Sequence, residues 1–127
     1  MSRAVADTSV FIARESADPL IQFPDEVAVS VITAAELELG VLRASDAATR
    51  ATRLATLVSV RSEYPLLGID DETASCYARL ADAALRGGWR LRRHDAWIAA
   101  TALRHGASVV TQDPAFTVFD AVDVIRV

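Results

Sequence analysis

The chain contains no lysine; all 13 of its basic residues are arginines. That absence excludes a P-loop, whose GxxxxGK[ST] signature needs a lysine, and with it Schiff-base chemistry and serine–lysine nucleophile pairs. The five glycines, Gly40, Gly68, Gly87, Gly88 and Gly106, form no GxGxxG, and no serine sits in GxSxG. Dinucleotide binding and esterase chemistry lose their sequence support. His94 and His105 are the only histidines and Cys76 the only cysteine, too few nitrogen and sulfur ligands for an ordinary zinc site. A lone cysteine forms no internal disulfide. Cys76 and its neighbour Tyr77 read as helix packing, and the two histidines as surface or helix-end residues.

No apolar run approaches the roughly 18 residues of a membrane span, and no secretory-type leader is recognisable. Together with the unpaired cysteine, this gives the expectation of a cytoplasmic protein without a membrane partner. Hydrophobic residues make up 52% of the 127 and the mean hydropathy is +0.26, which leaves apolar surface for a protein partner. That length suits one domain over residues 1–127, able to bury about two thirds of its unfolded surface without staples. Acids outnumber bases, 17 to 13, so nothing suggests a protein that grips nucleic acid by net charge alone.

Short apolar runs alternate with helical periodicity. Ala4-Val5-Ala6 reads as a strand ended by Asp7-Thr8-Ser9, and Val10 to Ala13 as the start of a short helix. Pro19, Pro24 and Asp25 mark a loop, and Val27 to Ile32 is β-branched enough for a second strand, with a helix opening at Thr33. From Ser45 to about Arg61 a helix carries Ala47, Ala51, Leu54 and Val58 on one face, and Asp46, Arg50 and Arg53 on another. Leu66 to Ile69 is a brief strand. Asp70 or Asp71 then caps a helix with Ala74, Ala78, Ala81 and Leu85 on one face, ending at Gly87-Gly88. The helix Ala96 to His105 is apolar nearly all round, hence central, and Gly106 suits its C′ position. Ser108 to Thr111 and Val122 to Val127 are strands, with a turn at Asp113-Pro114. The alternation predicts an α/β fold on a parallel sheet with helices on both faces.

In such sheets ligands bind beyond the carboxyl ends of the strands. Asp7 and Asp113 follow strands, and Glu36 and Asp95 lie near helix starts, so the topology gathers four carboxylates at one edge. Each also has a purely structural explanation. Asp7 and Asp95 suit helix caps, Asp113 a turn, and Thr33-x-x-Glu36 is the sequence of a capping box. Four unrelated caps have no reason to share an edge, whereas a Mg²⁺ or Mn²⁺ site requires oxygen ligands from several elements. Setting the four aside leaves 13 acids against 13 arginines, so the excess negative charge equals the candidate site. Thr8, Ser9 and Thr111 flank the acids and offer hydroxyls to orient them. Arg90, Arg92 and Arg93 precede Asp95 and are candidates to hold phosphates close to the metal. Trp89 stands among arginines and is the better candidate to stack on a base, Trp97 being placed for packing.

The motifs Val5-Ala6-Asp7-Thr8-Ser9-Val10, Thr33-Ala34-Ala35-Glu36-Leu37 with Gly40, Asp95 to Ala102, and Val110-Thr111-Gln112-Asp113 resemble, in this order, the PIN-domain ribonucleases, in particular VapC toxins of type II toxin–antitoxin systems. The resemblance covers the whole chain. It implies a three-layer α/β/α domain on a sheet of four to five parallel strands. It further implies Asp7, Glu36, Asp95 and Asp113 as the catalytic quartet, Mg²⁺ or Mn²⁺ as cofactor, Ser9 and Thr111 in support, and metal-assisted hydrolysis of RNA. Asp7 and Asp95 would be direct ligands, with Glu36 and Asp113 acting through water. A VapB-type antitoxin and a homodimer are the implied partners. Many relatives carry an acid immediately before the phenylalanine that is Phe116 here, where this chain has Ala115. Two other readings compete: a PIN-like interaction module whose acids serve only as caps, and an aspartate-dependent phosphatase using Asp7. The latter lacks the DxD motif and the lysine such enzymes use.

Overall fold

A computed structural model describes residues 3–16 and 23–127. Five strands, β1 (Arg3–Ala6), β2 (Glu26–Ser30), β3 (Leu66–Leu67), β4 (Ser108–Thr111) and β5 (Val124–Arg126), form one sheet in the order β3-β2-β1-β4-β5. Every neighbouring pair is parallel, as the alternating pattern predicts. The helices are α1 (Thr8–Ser16), α2 (Val31–Arg43), α3 (Ala47–Glu63), α4 (Asp71–Arg86) and α5 (Arg93–Arg104), and a 3₁₀ turn spans Pro114–Val118.

Alternation along the strands sorts the core into layers, because successive side chains point to opposite sheet faces. Val5 and Val109 pack with Leu80, Ala84, Ile98 and Ala99 of α4 and α5. Ala6 and Val29 pack with Phe11, Leu37, Leu57 and Val60 of α1, α2 and α3 on the other side. The result is the expected α/β/α sandwich. α5 buries Ala96, Ile98, Ala99, Ala100, Thr101 and Ala102, and its small side chains let it lie close to the sheet. Trp97 stacks on Tyr77 of α4 with ring centres 3.9 Å apart, so this tryptophan serves packing.

Four expectations are corrected. α2 starts at Val31, because Ser30 takes the cap position and its hydroxyl accepts from the Ile32 N–H at 3.1 Å. Thr33 is therefore inside the helix, and Thr33 with Glu36 forms no capping box. α5 starts at Arg93, two residues before Asp95, and Arg92 at its cap position makes no side-chain cap bond; Asp95 is a first-turn residue and not the cap. α3 packs through Leu57 and Val60, leaving Leu54 and Val58 exposed. α4 packs through Thr73, Leu80, Ala81 and Ala84, with Ala78 and Leu85 outside. Each of these two helices carries two apolar stripes, and contact with the sheet chooses between them. Pro19 lies outside the described residues.

Asp70 caps α4 with one oxygen, accepting from the Thr73 N–H and hydroxyl at 2.8 and 2.7 Å. Those bonds, followed by Arg104, lower its pKa to about 2. A lowered carboxylate pKa stabilises the fold above the unfolded value near 4 and ceases to as pH falls toward 2. Asp70→Ala is thus expected to lower the melting temperature by a few degrees at neutral pH, with the deficit shrinking between pH 4 and 2. An unchanged deficit over that interval would place its origin elsewhere.

Candidate metal centre

The chain runs β1 to β3 toward one sheet edge and returns to β4 and β5 on the other side of β1. This makes the gap beyond β1 and β4 the switch point where parallel sheets place ligands. Asp7 leaves β1 and is only 4% exposed. Its Oδ2 accepts from the Ser9 hydroxyl at 2.7 Å, the Thr111 hydroxyl at 2.9 Å and the Ser9 N–H at 3.4 Å. None of these bonds falls on Oδ1. Hydroxyls thus fix the carboxylate's orientation while one oxygen stays out of their reach.

The same two hydroxyls tie the far strand in. Thr111 accepts from the Asp113 N–H at 2.9 Å, and Ser9 from the Gln112 N–H at 3.1 Å. Asp113 caps the 3₁₀ turn through Oδ1, which accepts from the Ala115 N–H at 2.9 Å, and its Oδ2 accepts from Arg92 Nη1, also at 2.9 Å. The Ala115 bond, together with Arg92, lowers the Asp113 pKa despite some burial. Asp113 is therefore both a turn residue and a member of the cluster.

Glu36 reaches the site from α2. The Thr8 hydroxyl donates to its Oε1 at 2.7 Å and lies 3.1 Å from the buried Thr33 hydroxyl, and His94 Nδ1 stands 3.4 Å from its Oε2. One of these partners is an addition to the sequence reading. Thr33 was expected as a cap paired with Glu36 and instead shares the Thr8 hydroxyl with it; His94 was expected as a surface or helix-end residue, and only contact between distant segments reveals its approach to Glu36.

Asp95 projects from the first turn of α5. Its Oδ2 is buried and accepts no hydrogen bond among the described residues, although Arg92 Nε lies 3.0 Å away; the approach is close enough for charge attraction but out of line for a hydrogen bond. Burial raises the Asp95 pKa to about 6, with Asp7, Asp113 and Glu36 adding repulsion against the pull of Arg92. The other three acids therefore all act on Asp95. Arg92 responds in the opposite sense: partial burial would lower its pKa, but Asp95, Asp113 and Asp7 raise it.

A buried carboxylate oxygen that accepts no hydrogen bond, among three other carboxylates, is the chemistry of a hard-cation site. Oxygen donors alone suit Mg²⁺ or Mn²⁺. Among the described residues no three acidic, histidine or cysteine side chains are grouped so that they could hold a metal ion as they stand, and Arg92 holds two of the acids in ion pairs. Beside the acids is a groove of about 610 Å³ lined by Glu36 and the segment from Arg90 to Asp95. Arg90 and Arg93 are exposed and make no ion pair among the described residues, so the three arginines expected to act together divide into one engaged with carboxylates and two left at the groove.

The PIN domain family model matches residues 4–122. The chain belongs to the PIN-domain family. Its relatives include Ribonuclease VapC5 of Mycobacterium tuberculosis, 46% identical over 97% of this chain and 94% of that protein. Ribonuclease VapC4 of the same organism is 40% identical over 98% and 97%. Among solved structures, VapBC-5, a member of the VapBC family of toxin–antitoxin systems from Mycobacterium tuberculosis, superposes with a TM-score of 0.89 at 44% identity, covering 100% of both chains. The PIN fold read from the motifs is thus present, with five parallel strands at the upper end of the expected range. Among the described residues, no helix of this PIN domain is long and apolar enough to cross a membrane.

Proposed function

We propose that this chain, read as one PIN domain throughout, is a cytoplasmic VapC-type toxin: a metal-dependent endoribonuclease that hydrolyses RNA phosphodiester bonds. The observation that carries this reading is the buried Asp95 Oδ2, which accepts no hydrogen bond and is placed among Asp7, Glu36 and Asp113. The VapC ribonucleases named above supply the substrate class.

Asp7 and Asp95 would hold Mg²⁺ or Mn²⁺ directly, with Glu36 and Asp113 acting through water. A cation held there would supply a water of lowered pKa and offset charge developing on the phosphate. The protein's own part is orientation. Ser9 and Thr111 fix Asp7, Thr8 fixes Glu36, and the cap on the 3₁₀ turn fixes Asp113. Arg90 and Arg93 at the groove suit RNA phosphates, which guanidinium groups hold through paired donors.

A VapB-type antitoxin is the proposed partner that silences the enzyme, and a homodimer its proposed assembly. Leu39 and Leu42 on α2, with Leu54 and Val58 on α3, are exposed and supply apolar area for such contacts. Purified protein is expected to cleave RNA with Mg²⁺ or Mn²⁺ and to stop when a chelator is in excess. Undiminished cleavage in chelator would overturn the assignment; an inert interaction module would neither cleave RNA nor bind Mn²⁺.

A further inference from the structure

Arg92 is the one arginine of its segment that faces inward. Its Nη1 donates to Asp113 Oδ2 at 2.9 Å while its Nε stands 3.0 Å from Asp95 Oδ2, so a single guanidinium bridges an acid from the start of α5 and an acid that follows β4. These two acids would otherwise repel across the site. A guanidinium is planar, permanently charged and forked, and can serve two carboxylates at once. Its side chain is nonetheless 49% exposed and lies at the rim of the groove that Arg90 and Arg93 also line, so nothing buried locks it in place.

We propose that Arg92 is a tethered counter-ion of the acidic site, which a divalent cation must displace from Asp95 and Asp113 before it binds. The inference rests on the metal-site reading above. Metal loading is then an exchange of one cation for another: the guanidinium swings into the groove and leaves Asp95 free to hold the metal and Asp113 free to act through water. The metal-free protein keeps a partly neutralised, ordered site, and apparent metal affinity is reduced by the fraction of molecules in which Arg92 is engaged. If that engagement holds in about nine molecules of ten, its removal tightens metal binding by about tenfold.

The opposite expectation follows if Arg92 is only a tie that keeps the acids aligned, because its loss would let them spread and weaken binding. Calorimetric titration of Mn²⁺ into the intact protein separates the two. Arg92→Ala is expected to bind Mn²⁺ about tenfold more tightly, and to gain more in melting temperature from Mn²⁺ than the parent does. Arg92→Lys, which keeps the charge but lacks the fork, should fall between and serves in place of the alanine variant should that one not fold. Arg93→Ala removes an equal charge from the same segment without touching either carboxylate, and its affinity should stay close to the parent's.

Weaker or unchanged binding by Arg92→Ala overturns the exchange, as does equal tightening by Arg93→Ala, which would make the effect one of general field. Asp95→Asn tests the underlying reading separately. Mn²⁺ binding that this variant loses keeps the metal site even where the exchange fails. No binding by the parent or by any arginine variant overturns the site and the exchange together.

Discussion

Asp7→Asn is expected to lower metal-dependent RNA cleavage by at least about 10³-fold while leaving the fold in place; the size follows from losing several kcal/mol of metal-centred charge stabilisation. The asparagine side chain has the shape of the carboxylate. Its carbonyl oxygen can occupy the Oδ2 position and keep the bonds from the Ser9 and Thr111 hydroxyls, which lie 2.7 and 2.9 Å from that atom. Its amide nitrogen then stands where Oδ1 was, and an NH₂ group offers a cation no lone pair. The substitution thus alters the oxygen not used by Ser9 and Thr111 and spares the one that organises the strand end. Circular dichroism and thermal melting should match the parent in chelator, whereas Mn²⁺ binding and cleavage should be lost together. Cleavage within tenfold of the parent would remove Asp7 from the ligand set. Thr111→Val makes the complementary point: it removes a donor to Asp7 and the acceptor of the Asp113 N–H, so it disturbs position without removing a ligand.

Much of this arrangement could be read from the order of residues, because parallel topology forces strand ends to one edge. Ser108 to Thr111 was legible to the residue, and the strand-ending positions of Asp7 and Asp113 followed from the apolar runs before them. Helix starts were harder. Val31 and Ile32 continue the β-branched pattern of Val27 to Val29, so local preference extends the strand where Ser30 in fact caps a helix. The capping-box spacing of Thr33 and Glu36 is genuine as sequence but idle in the fold, since the helix has begun two residues earlier. On α3 the stripe of Leu54 and Val58 is as regular as that of Leu57 and Val60, and only the position of the sheet distinguishes them. Contacts made by flexible side chains were least legible. Neither the pairing of Arg92 with Asp113 nor the approach of His94 to Glu36 leaves a trace in spacing, because both join segments that topology alone brings together.

The acids do not share the strain equally, and the difference yields a pH-dependent prediction. Asp113 is lowered below its ordinary value by the Ala115 N–H and by Arg92, so its interactions stabilise the fold above pH 4 and fade below it. Asp95 runs the other way, raised from 3.8 to about 6 chiefly by burial. The folded chain therefore holds that proton more tightly than the unfolded chain does. The resulting stability is fully present below about pH 4 and is lost as pH rises through about 6. At about 1.36 kcal/mol for each pH unit of displacement, the loss is at most about 3 kcal/mol. In chelator, Asp95→Asn should then be more stable than the parent at pH 7.5 and nearly equal to it at pH 4. Adding Mn²⁺ should reverse the order at pH 7.5, because the parent's ionised carboxylate gains the cation and the variant's amide does not. A variant less stable than the parent at pH 7.5 in chelator would mean that the Asp95 charge is already satisfied within the protein. Asp95 would then lose its claim as the residue whose unmet charge draws the metal in.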